Sequence, residues 1–561
     1  MAFFRTDSRK DEKMPTLYWR RFQRGKDYIY RKGLIDDTNR NWNFYIGKQW
    51  EGIETGGQNL PSEPFIKGVV DYKVNTITQS TLIAKFSDIT DEMKDVEVYN
   101  ILNRKFNEDW ERCKMDVRMR DLTKDAAITG DGFHFYGYKD VSKVEQIPCT
   151  NVLFGDESEP NVQKQPYIII WERRSVNDVR KEAVLNGISE EEAMLIVPDD
   201  ETADLIGNSE ELDGTNNVGE SKVTCIVHLE KKNGVVNVAR STKTVVYEPE
   251  HPIQMTNPDG TAGRGMTLYP IVKFSWLRFP NDARGVSEVK GLIPNQIEIN
   301  KTLARRSQII KMTAFPRLAY DANAIQNPDD LMKVGAPIEC SSGNAQSVNQ
   351  MIAYLNPAQS NGDAGNYADD LLAKTQELVG AGETARGNIE LNRVAASAVL
   401  AIRDQSALPL NEQETMYHQA AEDMAMIWFE NMVVYGTEDI QYMKEEEDPI
   451  TGETIQVPSV ISLRELAELT PKIRIDISKD NPWTKEAQQT WLDNALASNL
   501  IVGLEEYVKL APPNSIVPIS GCYEILADRK RKQEIAEAQA QIQQQMLMEQ
   551  QLSLIDSESK D

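Results

Sequence analysis

The side chains best suited to chemistry are spaced in ways that assemble no recognisable active site. His134, His228, His251 and His418 are isolated from one another. The first two fall inside strand-like runs, and all four read as satisfied structural histidines rather than bases or ligands. Cys113, Cys149, Cys225, Cys340 and Cys522 are odd in number and far apart, which supports neither a disulfide framework nor a zinc knuckle and fits a reducing cytoplasm. The acidic runs 199–201 and 445–448 lack the alternating oxygen ligands of a calcium loop and read as solvated loops. GTAGRG at 260–265 has the wrong glycine spacing for a dinucleotide fingerprint, and no phosphate loop, HExxH helix or GxSxG elbow occurs. No catalytic, cofactor or metal site is assigned. The competing reading is an enzyme whose carboxylates converge from distant sequence.

Charge narrows the binding chemistry. The chain carries 87 acidic against 62 basic side chains, a net −25, which argues against tight retention of nucleic acid and is compatible with DNA sliding past. The segment 299–320 is an exception, holding Lys301, Arg305, Arg306, Lys311 and Arg317 with no acid. Those cations suit a weak contact with a phosphate backbone, or pairing with an acidic neighbour.

The elements that would hold such groups follow from periodicity. At 561 residues two to four substructures are expected. The N-terminus lacks the apolar core of a signal peptide and no 18 apolar residues run together, so neither secretion nor a membrane span is expected. A loose basic tail precedes a helix within 1–31. Segments 69–86 and 98–129 have apolar residues at helical spacing. Residues 130–140, 167–173, 222–230 and 235–247 read as strands around a short helix at 176–196 and an acidic excursion at 198–220. The first half is therefore α+β. In the second half, a helix over 284–312 stops at Phe315-Pro316. A strand-and-turn insertion follows at 317–357, then a helix from Asn366 that breaks at 380–382. A long helix over 394–435 should kink at Pro409, ahead of a strand at 472–477 and a helix from 484.

Four blocks carry a family resemblance: FYIGKQW (44–50) before VDYKVNTI (70–77); DAAITGDGFHFYGY (125–138); RGVSEVKGLIPNQIEINKTLARR (284–306) after LYPIVKFSW (268–276); and NIELNRVAASAVLAIRDQ (388–405). In this order the chain resembles the portal proteins of tailed bacteriophages, particularly the larger ones of short-tailed phages. It departs from them in the excursion 198–220 and in a short C-terminal end, which speaks against a long C-terminal helical barrel.

The resemblance implies a mainly helical α+β portal fold. Its parts are a basic tail (1–29), wing (30–284), stem helix (285–314), clip (315–361), second stem helix (362–380) and tunnel loop (381–393). A long kinked helix (394–436), wing return strands (437–480), helical crown (481–525) and Gln-rich helix or tail (526–561) complete it. It further implies a cyclic ring, a dodecamer in the particle, forming the non-enzymatic DNA channel at one capsid vertex, with the host cytoplasm as the place of assembly. Expected partners are the terminase packaging motor, tail adaptors, major capsid and scaffolding proteins, and double-stranded DNA passing weakly through. Another capsid-associated adaptor ring is a further alternative. Glu383, Arg386, Asn388, Glu390 and Arg393 would border the channel, with the arginine and asparagine touching DNA transiently and the acids limiting attraction. Tyr320, Gln326, Asp329 and Asp330 would dock partners in the clip.

Overall fold

The structure is a computed structural model that describes residues 14–88, 96–137, 143–199, 221–314, 317–341, 352–355, 363–380, 408–447, 454–479, 492 and 494, apart from short gaps at 52, 55–59, 257–259, 332, 334, 437–438 and 470. It divides into two units, Met1–Thr78 with Leu82–Asp476, and Gln79–Thr81 with Ile477–Asp561. The first unit contains nearly all described residues and is α+β.

Its N-terminal part is built on an antiparallel five-stranded sheet in the order β4 (Val152–Phe154), β5 (Tyr167–Ser175), β6 (Lys222–Lys232), β7 (Val235–Ser241), β8 (Val246–Pro252). The first five residues of β5, YIIIW, are all buried, which requires cover on both faces. Helix α1 (Met14–Lys32) supplies one cover, with Phe22 and Ile29 against Ile169, Trp171 and Ile226. The helix expected within 1–31 runs from Met14, because its aromatics face the sheet. Part of the other face is covered by α6 (Val176–Leu185) and α7 (Glu190–Ala193), where Val179 and Ala183 meet Val223, Cys225 and Tyr247.

The main core lies beside this sheet. Helices α2 (Leu34–Ile46), α3 (Phe65–Ile77), α4 (Val96–Arg112) and α5 (Met115–Thr129) contribute to it. So does a second sheet in the order β11 (Ile271–Ser275), β2 (Asp131–Tyr136), β3 (Val144–Ile147). The helix expected over 98–129 is interrupted at Lys114, which adopts a left-handed φ of 52°. The helix expected over 69–86 ends at Ile77 and becomes strand β1 (Ser80–Asp88), in which buried Ala84 and Phe86 flank exposed Lys85, a period of two. The strand expected over 235–247 is divided between β7 and β8, whose pairing is irregular. A small hairpin, β9 (Gln254–Thr256) with β10 (Ala262–Gly265), precedes β11.

Beyond the second sheet, α8 (Glu288–Ala314) leads to the short pair β12 (Arg317–Tyr320) and β13 (Ile352–Leu355), joined in register from Arg317 opposite Leu355 to Tyr320 opposite Ile352. Helix α9 (Asp363–Leu378) returns alongside α8. Pro409 sits in a 3₁₀ turn, Leu408–Leu410, that leads into α10 (Asn411–Tyr435), at the start of the described helix rather than inside it. The rest of the expected long helix, 394–407, and the tunnel loop lie outside the described residues, as does most of the expected crown. The return strands form a hairpin, β14 (Ile440–Glu447) with β15 (Thr454–Ile461), then a short helix α11 (Leu463–Glu468) and β16 (Pro471–Lys479), which pairs with β1.

Candidate functional site

The base of α8 is held by buried ionic chemistry supplied by the RGVSE run. Arg284 is 2% exposed. It donates to the carbonyls of Cys149 (3.0 Å) and Val152 (2.7 Å) and pairs with Glu157 at 3.2 Å. The backbone N–H of Gly285 donates to Asp131 Oδ2 at 2.8 Å, while Asp131 Oδ1 accepts from Ser275 Oγ at 2.6 Å and lies 3.4 Å from Lys273 Nζ. Burial pulls the Lys273 ammonium below the ordinary lysine range, and Asp131 opposes that pull. Ser287 Oγ accepts the N–H of Lys290 (3.3 Å), an N-cap bond. Glu288 then bridges Lys73 Nζ (2.7 Å) and the Trp276 indole N–H (2.9 Å). In composition, Ser275, Lys273 and Asp131 resemble a nucleophile set. Asp131 and Ser275 are buried and Lys273 is partly so; Asp131 holds Gly285, Lys273 donates to the Ala283 carbonyl and Ser275 donates to Asp131, so the geometry serves anchoring.

Two turns further on, α8 is tied to the aromatic block that precedes α3. Gln296 donates to Glu63 O, and Asn300 donates to Gln49 Oε1 and accepts the Glu63 N–H at 3.2 Å. Past Asn300 the attachments thin out. Lys301, Arg305, Arg306 and Lys311 are exposed, as is Ile310 at 58%, and none of the four cations forms an ion pair with another described residue. The cations expected in a stem are therefore brought together on one half-helix of α8, with Arg317 opening β12 beyond them.

Helix α9 packs on α8 through Asn295 Nδ2, which donates to Thr375 Oγ1 at 3.0 Å. Its buried side holds Ala368 and Thr375, while Asp369, Asp370 and Glu377 are exposed. In the insertion, Gln326 N–H donates to Glu339 O (3.0 Å), and Asn327 clamps the opposite segment by accepting from Glu339 N (2.8 Å) and donating to Pro337 O (2.9 Å). Tyr320, Gln326 and Asp329 are exposed, whereas Asp330 is occupied by Lys333 at 2.7 Å. The four expected docking residues are thus on one small insertion, and one of them is structural. Glu383, Arg386, Asn388, Glu390 and Arg393 lie outside the described residues.

The histidines expected to be structural include two that are buried. His228 lies between the rings of Tyr18 and Tyr167, with Arg21 Nη1 2.7 Å from its Nε2. Burial, then Arg21 and Lys232, lower its pKa to about 3. His134 is lowered to about 4 by burial and then Arg118. Among the described residues no cluster of three or more His, Cys, Asp or Glu side chains is arranged to hold a metal ion, and no described helix is long and apolar enough to cross a membrane. Sequence reasoning missed Glu430 of α10, which is 4% exposed and accepts the N–H groups of Thr267 and Leu268 at 2.9 Å each. Its only signal was a carboxylate within an apolar stretch.

No family model matches the chain, and no curated protein matches it. Among solved structures, it is similar to a chain from the virion of a native gene transfer agent particle, with 10% identity over 84% of this chain and 99% of that one and a TM-score of 0.30. That score is too low for the likeness to carry a functional assignment.

Proposed function

We propose that this chain is a portal-type subunit: copies close into a ring at one capsid vertex, and double-stranded DNA passes through the ring during packaging and ejection. The observation that carries the reading is the α8–α9 pair. One end of α8 is fixed by the buried Arg284–Glu157 and Lys73–Glu288 pairs. Its other half carries exposed cations and leads into a two-stranded insertion before the chain returns. A rigid pillar held at one end suits a subunit that must repeat around an axis, since a closed ring needs two different, complementary faces on each copy. The order of the four sequence blocks supports the same plan, with 285–314 and 362–380 as stem and 315–361 as clip.

The reading assigns no catalysis to the chain. Every neutralised phosphate adds to an affinity that would oppose sliding, and the net acidity of the subunit keeps that friction small. The clip docks the terminase motor first and tail adaptors later, the outer body meets capsid and scaffolding proteins, and the virion is the final location. The test is the particle itself. Mass photometry and negative-stain imaging of the purified chain should give closed rings with a central hole, at many times the 63.4 kDa subunit mass. A monomer or dimer under all assembly conditions, or ATP turnover that follows the protein peak, refutes the proposal.

A further inference from the structure

The distal half of α8 exposes cations and α9 exposes mainly acids, and neither set forms an ion pair with another described residue. The β12–β13 register brings the distal end of α8 and the start of α9 together, so the helices run antiparallel. From the contact between Asn295 and Thr375, six residues forward reaches Lys301 and six residues back reaches Asp369. At 1.5 Å per residue both lie about 9 Å from that contact, at the same height. Asp370 and Glu377 lie on the side facing away from the buried Ala368 and Thr375; exposed Lys374 sits between them, so that this side together with Asp369 is acidic in sum, three carboxylates against one ammonium. No ion pair links Asp369, Asp370 or Glu377 to a described residue. Exposed apolar side chains accompany both charge sets, Ile310 on α8 and Leu378, 85% exposed, on α9.

We infer that these surfaces meet between copies: the cationic side of α8 packs on the acidic side of α9 in the next subunit of the ring. This rests on the ring reading above and gives it a lateral contact. Rotation about a ring axis preserves height along that axis, so groups level within one hairpin running along the axis stay level across the seam. Lys301 of one copy is then level with Asp369 and Asp370 of its neighbour, with Arg305 about 6 Å, one turn, further along and within reach of its long side chain. The same pairing consumes cations that would otherwise attract DNA, leaving the stem a weaker phosphate binder than its sequence implies.

The experiment exploits the head-to-tail character of such a seam. A K301E/R305E variant would present acid on both faces, and a D369K/D370K variant would present base on both. Each alone should repel its own copies and lower the ring fraction about tenfold or more at about 0.1 M salt, since like charges juxtaposed in an interface cost more than about tenfold in affinity. Mixed in equal amounts, the two variants should recover rings, because every seam then joins opposite charges. Mass photometry reads the ring fraction, and circular dichroism identifies folded variants. If a reversal fails to fold, the neutral pair K301Q/R305Q and D369N/D370N replaces it, and rings should then dissociate at lower salt than wild type. Rings that form from either reversal alone, a mixture of folded variants that stays unassembled, or neutral variants with unchanged salt tolerance overturn the seam. A wild-type chain that forms no rings refutes the proposed function instead.

Discussion

Gly130 and Gly285 meet back to back where β2 begins and the approach to α8 passes over it. A Cβ on Gly285 would lie 2.4 Å from the Gly130 carbonyl oxygen, and one on Gly130 would lie 2.5 Å from the Gly285 oxygen. Gly130 also has a φ of 107°, a conformation that side-chain-bearing residues rarely adopt. The close approach lets Asp131 accept the Gly285 N–H and lets Gly130 O accept that of Trp276. Gly285→Ala should therefore destabilise the fold by about 1–3 kcal/mol, as overpacking does in a close-packed site. Gly291→Ala, in the same helix with nothing within 4 Å of the added Cβ, should stabilise by about 0.5–1 kcal/mol. Urea denaturation midpoints of the two variants should move in opposite directions.

Arg284 supplies a second test of the anchor. Its guanidinium serves two carbonyls and a carboxylate in a buried site. Arg284→Met should cost about 3–5 kcal/mol, because Glu157 is left without its buried partner. Arg284→Lys should recover little of this, since one ammonium cannot reproduce the planar fork. A lysine variant with wild-type denaturation would contradict the anchoring role.

Acid should weaken the fold through His228 and His134. Both have folded pKa values, about 3 and about 4, below the ordinary 6.5. As pH falls below about 6.5 the unfolded chain takes up protons that the folded chain refuses, so stability present at neutral pH is lost progressively. Asp125, raised to about 6 mainly by burial, works in the opposite direction below that pH, as do Glu172, Glu422 and Asp423, whose carboxyls burial also raises, so the histidine share is read by substituting a histidine. Both His134 ring nitrogens lack hydrogen-bond partners among the described residues. His134→Leu should accordingly be at least as stable as wild type at pH 7, where it removes two unsatisfied buried atoms, and should lose less between pH 7 and pH 5. Equal pH slopes for the two proteins would count against this account.

Much of the α+β architecture was legible because burial imposes a period. The strands at 131–136, 167–175 and 222–232 and the helix ending at Ala314 fall close to where alternation, helical spacing and Phe315-Pro316 place them. The break after Ile77 was not legible, since Thr76, Ile77 and Thr78 continue an apolar and β-branched run that fits either period. The anchor of α8 was invisible for a different reason: Arg284 finds Glu157 127 residues away, and Glu430 finds Thr267 163 residues away. Only the fold decides such pairings. The cationic half-helix was legible as composition, while its lack of partners became visible only once α9 lay beside it.

Under the proposed portal reading, the insertion between α8 and α9 would separate docking from architecture. Asn327 holds its two sides together through Glu339 and Pro337, and Ile325 bridges Cys340 beside it. Removing that amide should open the insertion, whatever it binds. Tyr320, 42% exposed at the end of β12, and exposed Asp329 lack that duty, and aromatic side chains at exposed positions are the usual anchors of protein interfaces. Tyr320→Ala combined with Asp329→Lys should thus leave ring mass and thermal unfolding unchanged while reducing capture of the terminase or of tail adaptors by about tenfold or more. Asn327→Ala should reduce the same capture but also raise amide hydrogen exchange over 325–341, since the cross-strand bonds that protect it are lost. If the Tyr320/Asp329 variant captures both partners normally, docking lies elsewhere. If Asn327→Ala leaves exchange unaltered, the clamp does not hold the insertion.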